Sequence, residues 1–146
     1  PFLERPGRGA IVLCRTSNPG AGELQDLRPA GAGGKTVYEL VADAVAIWNT
    51  GNNLGIVVGA TYPEEMAVLR NAHSDLPFLV PGVGAQGGDV EAAARAGINA
   101  DGRGAIINSA RGIIYASSDP GNFQHAARTA AQTLRDQINL AVGRGN

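Results

Sequence analysis

Four short apolar runs punctuate the chain: Gly9–Cys14, Gly55–Ala60, Pro77–Pro81 and Gly104–Asn108. Each is continuously apolar and partly β-branched, the pattern of strands buried on both faces of a parallel sheet. A glycine-rich loop and then a helical pattern follow each run. Thr36-Val37-Tyr38-Glu39 predicts a capping box, opening a helix whose apolar stripe is Val37, Leu40, Val41, Ala44, Ile47 and Trp48. Thr61-Tyr62-Pro63-Glu64 predicts a second such start, with Pro63 in the first turn. Asp89 predicts a cap for a short helix through Ala96 that Gly97 ends. Asp119-Pro120 opens the last helix, with a stripe of Phe123, Ala127, Ala130, Leu134, Ile138 and Ala141.

Strand and helix alternating through four units imply right-handed crossovers and an α/β fold with a parallel sheet. Two architectures fit: an open doubly wound sheet, or part of a TIM (β/α)8 barrel. A whole barrel needs about 250 residues, so four units in 146 residues would be half of one. No linker divides the chain, which reads as a single domain over residues 1–146. The longest stretch without periodicity, Arg15–Lys35, exceeds a routine loop and suggests a functional one. Both architectures place ligands at the carboxyl ends of the strands.

The loop after the third run is Pro81-Gly82-Val83-Gly84-Ala85-Gln86-Gly87-Gly88-Asp89. It satisfies G-x-G-x-x-G, but the acid expected on a ribose, Asp101, precedes the next strand instead of ending it, which argues against dinucleotide binding. Bare N–H groups beside a helix start make a phosphate cradle; the alternative is a plain tight turn. After the fourth run, Ser109-Ala110-Arg111-Gly112 places an arginine fork between small neighbours, suited to the same anion. Arg15-Thr16-Ser17-Asn18-Pro19-Gly20 offers hydroxyls and amides at the mouth, either for a polar ring or for turn chemistry alone.

Composition narrows the picture. Twelve basic against thirteen acidic residues give a net charge of -1, without the basic excess of a general nucleic-acid surface. No apolar run reaches the ~18 residues of a membrane span. One cysteine, Cys14, excludes an internal disulfide and reads as a small buried side chain in a reducing compartment. Gly33-Gly34-Lys35-Thr36 fails as a P-loop, because Pro29 stands where its first glycine belongs. His73 and His125 have no partner at metal spacing and read as solvated or capping. Glu64-Glu65 is a helix-start pair favoured by the dipole. The only methionine is Met66, so the expectation is a chain that was processed, cut, or part of a longer product.

Taken together, PGVGAQGGD at Pro81–Asp89, the Thr16–Ala21 segment and Ala110-Arg111-Gly112 with Ile113-Ile114-Tyr115 resemble the orotidine 5'-phosphate decarboxylase family. The likeness is greatest to the bacterial type 2 branch found in mycobacteria and relatives. It implies strands five to eight of a TIM barrel, in a homodimeric cytoplasmic enzyme that uses neither metal nor organic cofactor. By this resemblance Ser17 would hydrogen-bond the pyrimidine edge, and Gln86 would bridge phosphate and a pyrimidine carbonyl. Arg111 and N–H groups near Gly84, Ala110 and Gly112 would hold the phosphate. Pro81 and Val83 would line the apolar side of the pyrimidine. The ligands would be orotidine 5'-phosphate and UMP. The family's Asp-x-Lys-x-x-Asp cluster, and its earlier aspartate and lysine, cannot be mapped here; they imply a partner, the amino-terminal half of the barrel. The alternatives are a non-catalytic half-barrel that binds phosphate or assembles, and another sugar-phosphate barrel enzyme.

Overall fold

The computed structural model describes residues 3–5, 7–84 and 87–144. Four parallel strands are hydrogen-bonded in sequence order: β1 (Ala10–Arg15), β2 (Leu54–Val58), β3 (Phe78–Pro81) and β4 (Ala105–Asn108). Helices α1 (Gly22–Gln25) and α2 (Val37–Trp48) follow β1, α3 (Pro63–Ala72) follows β2, and α4 (Val90–Gly97) follows β3. After β4 come α5 (Ala110–Ile114) and the long α6 (Phe123–Ala141).

The order decides between the two architectures. A doubly wound sheet reverses direction at a switch point and carries helices on both faces. Here the order never reverses, and the core lies on one face only. Val12, Ile56, Phe78 and Ala105 are register partners across the sheet. They pack, with Val58 and Val80, against Val45, Met66, Leu69 and Ala93 of the helices. This is the curved half of a barrel. The opposite face carries Leu13, Val57, Leu79 and Ile106 in register, and Ile11 opposite Gly55. On it Ile11, Leu13 and Ile106 are 45%, 64% and 53% exposed. The expectation of runs buried on both faces is therefore corrected for β1 and β4, whose exposure alternates. That face is a barrel's interior, which needs further strands to close it.

Three helix readings are also corrected. The capping box of α2 forms as expected: Thr36 Oγ1 accepts from the Glu39 N–H, and Glu39 Oε2 accepts from the Thr36 N–H at 2.7 Å. Its buried face is Tyr38, Ala42 and Val45, while Ile47 and Trp48 are exposed. The helix is apolar on two adjacent faces, and the sheet takes the one that matches β1 and β2. Thr61 does not cap α3, whose N-cap is Tyr62 with no side-chain bond, although Pro63 does open it. Asp119 does not open α6. It forms a turn that accepts from the Gly121 N–H at 2.9 Å, and the helix begins at Phe123. Asp89 does cap α4, accepting from the Ala92 N–H at 2.9 Å.

Two further readings hold and gain named partners. Cys14 is buried, and its thiol donates to the Tyr38 carbonyl at 3.1 Å. Of the two alternatives for His73 the structure shows capping: it stands at the C-cap of α3 with Nε2 3.2 Å from Asp43, which also pairs with Lys35 at 2.6 Å.

Candidate functional site

Pro81 and Asn108 end β3 and β4 as register partners, so the two following loops leave the sheet side by side. In the first loop Gly82, Gly84 and Gly87 have φ of 95°, 67° and 83°, left-handed values that a side chain would strain. The loop closes on itself: the Gly84 N–H donates to the Gly88 carbonyl at 3.0 Å, and the Gly88 N–H to the Gly82 carbonyl at 3.2 Å. Gly88 is pressed against the exit of β2, where a Cβ would lie 2.6 Å from Ala60 Cβ. The Gly84 N–H is thus spent inside the loop. Gln86 lies outside the described residues.

The second loop is not extended. Ser109 leads directly into α5, and Arg111 sits in its first turn. First-turn N–H groups have no intrahelical acceptor, and Ser109 does not cap them with its side chain. Ala110, Arg111 and Gly112 supply these first-turn donors at the exit of β4. A cleft of about 110 Å³ is lined by Pro81, Gly82, Val83, Asn108, Ala110 and Arg111. An adjoining hollow of about 160 Å³ shares Val83 and adds Gly84 and Gly112. Six of the expected residues, Pro81, Val83, Gly84, Ala110, Arg111 and Gly112, are brought together here. A larger hollow of about 490 Å³ lies between α4 and α6. It offers no comparable anion grip, because its Arg95 is already paired with Glu91 at 2.9 Å.

Ser17 stands apart from this cleft, at the exit of β1, two strands away. The rim is nonetheless continuous. The Gly59 N–H donates to the Arg15 carbonyl at 2.8 Å, and the Ala60 N–H to the Pro81 carbonyl at 2.9 Å. Gly59 lets the Ser17 hydroxyl lie against the backbone of β2, where any Cβ would collide with it. That hydroxyl is buried and has no partner among the described residues. Arg15, read only as part of a polar loop, turns out to be buried beneath it. Among the described residues, no group of three or more His, Cys, Asp and Glu side chains could hold a metal.

Residues 3–127 match the model of the orotidine 5'-phosphate decarboxylase / HUMPS family. The chain belongs to this family. It is 53% identical over 140 residues to the orotidine 5'-phosphate decarboxylase of Ralstonia pickettii, covering 95% of the chain and 50% of that relative. The solved Leishmania donovani OMP decarboxylase superposes with a TM-score of 0.81 at 38% identity, covering 97% of this chain and 51% of that one. The Leishmania donovani UMP synthase gives 0.79 at 39% identity, over 96% of this chain and 29% of that one. The chain thus spans about half the length of the curated decarboxylases it matches. Half-length coverage of a family of barrels accounts for the one-sided sheet.

Proposed function

We propose that the chain is the carboxyl-terminal half, strands five to eight and one partial domain, of an orotidine 5'-phosphate decarboxylase. In this reading Arg111 and the first-turn N–H groups of α5 grip the phosphate together with the Gly84 loop and Gln86. Pro81 and Val83 pack against the pyrimidine, and Ser17 with Gln86 reads its polar edge. The observation that carries the proposal is the cleft where the loops after β3 and β4 meet, with a guanidinium and unspent main-chain donors around one small volume. The relatives' names supply the reaction.

The chemistry then divides between halves. The bond from pyrimidine C6 to the carboxylate breaks, carbon dioxide leaves, and the electron pair remains on C6. A lysine ammonium from the family's Asp/Lys cluster would stabilise that charge and deliver a proton to C6, giving UMP. This chain's part is remote binding. Phosphate grip holds the ring in place and contributes to transition-state stabilisation. The amino-terminal half would cover the open face of Ile11, Leu13 and Ile106. The same reading carries a homodimer in the cytoplasm; no described helix is long and apolar enough to cross a membrane.

Complementation tests it. The chain alone should not decarboxylate orotidine 5'-phosphate, and adding the amino-terminal half of the Ralstonia pickettii relative should restore turnover. Turnover by the chain alone would overturn the division of roles. Stable assembly without turnover, and without UMP binding, would favour a non-catalytic half-barrel. Equal affinity for ribose 5-phosphate and UMP would favour another sugar-phosphate barrel.

A further inference from the structure

We propose that Arg15, held by Asp26, is a positioning residue for pyrimidine recognition, fixing the Ser17 loop from below through Gln25; this rests on the reading of Ser17 given above. The argument begins in the strand. Leu13 pairs with Val57 and Arg15 with Val58, so the register slips at Cys14. Strict alternation would send the Arg15 side chain to the open face beside Leu13. The slip turns it to the helix side, the way bulges re-aim side chains at barrel rims.

There the guanidinium lies 4.0 Å from the Tyr62 ring centre and 5.4 Å from that of Tyr38. Its Nη1 is 3.0 Å from Asp26 Oδ1, and its Nη2 is 3.7 Å from Glu65 Oε1. The side chain is 3% exposed. A charge so buried is costly unless paired and held in place. Its fixed position is transmitted upward. Nη1 donates to Gln25 Oε1 at 3.3 Å. The same oxygen accepts from the Thr16 N–H at 3.0 Å, while Gln25 Nε2 donates to Thr16 Oγ1 at 3.0 Å. Thr16 Oγ1 donates in turn to Asn18 Oδ1 at 2.5 Å. Both neighbours of Ser17 are therefore tied into a network rooted on Arg15, while the Ser17 hydroxyl itself has no partner among the described residues. Among the described residues, none of this network lines the cleft of Arg111. Disturbing it should cost recognition of the base and spare recognition of the phosphate.

The test uses the full-length protein carrying this sequence, with UMP and ribose 5-phosphate as probes. Arg15→Met keeps the stem and removes the fork; Gln25→Ala cuts the link to Thr16 and leaves the buried charge paired with Asp26. Each should weaken UMP by about tenfold or more and change ribose 5-phosphate by less than about twofold. The double variant should lose no more than the larger single loss, because both act through one path. If Arg15→Met does not fold, Gln25→Ala carries the test alone. Equal losses for both probes, or no loss for either, would overturn the proposal. A wild-type protein that binds UMP no better than ribose 5-phosphate would instead overturn the reading of Ser17.

Discussion

The Arg70 guanidinium lies 3.7 Å from the centre of the Phe78 ring, at the end of β3 opposite the cleft. It also donates to the carbonyls of Gly97, His73, Ser74, Leu76 and Gly104 at 2.8–3.1 Å. One side chain thus joins the ends of α3 and α4 to the starts of β3 and β4. Burial pulls its pKa down to about 10, so it stays charged at neutral pH and keeps all its donors. Conserving volume but not charge, Arg70→Met would strand these carbonyls. A loss of about 3 kcal/mol is expected, seen as a fall in melting temperature, with UMP affinity of the surviving folded fraction unchanged. A melt within a degree or two of wild type would show that water replaces the donors at no cost.

Arg111→Ala tests the opposite end. A charged hydrogen bond to phosphate contributes about 1.5–3 kcal/mol, so UMP affinity should fall roughly 10- to 150-fold by titration calorimetry. The side chain is exposed at the rim, and stability should change little. Unchanged affinity would remove Arg111 from the grip.

Much of this was legible in the sequence, for physical reasons that also mark where legibility stops. All four strands are apolar along most of their length, including the face that β1 and β4 leave exposed, so all four runs could be found. Parallel order followed from the alternation with helices. Thr36 and Asp89 were readable as caps because capping is local chemistry. The inward face of α2 was not, since Ile47 and Trp48 continue an apolar stripe as well as Tyr38, Ala42 and Val45 do. Helix α5 is five residues long, contains Gly112 and lacks a side-chain cap, so no local signal announces it. The loops carrying Val83 and Arg111 could be paired because their strands were adjacent. The burial of Arg15 could not, since it depends on a register slip and on two tyrosines far along the chain.

Burial pushes the Cys14 thiol up to about 12 from an ordinary 9.0. Below pH 9 both folded and unfolded thiols are protonated, and the group's full contribution is present. Between pH 9 and 12 the unfolded state releases its proton first. Folding is then disfavoured by up to ~1.4 kcal/mol for each pH unit. Cys14→Ala should therefore lose less stability than wild type between pH 8.5 and 10.5 in urea titrations, with other titrating groups common to both. The wild-type thiol should also resist alkylation at pH 8 until urea unfolds the chain. Rapid labelling of native protein, or superimposable pH profiles, would contradict the burial.

The exposed inner face makes a prediction whose sign depends on the partner half. In the chain alone, Leu13 and Ile106 present apolar surface on β1 and β4, which are also the sheet's two unpaired edges. At micromolar concentration the isolated chain should self-associate, and Leu13→Asp with Ile106→Asp should shift it toward monomer in light scattering. In a complete barrel the same positions face a closed interior, where a carboxylate has no water. The identical pair of substitutions should there destabilise the fold by several kcal/mol. Opposite signs in the two contexts would identify the face as one wall of a barrel. An isolated wild-type chain that stays monomeric with a cooperative melt, and is indifferent to the aspartates, would mean that the half needs no covering and that the face is an ordinary surface.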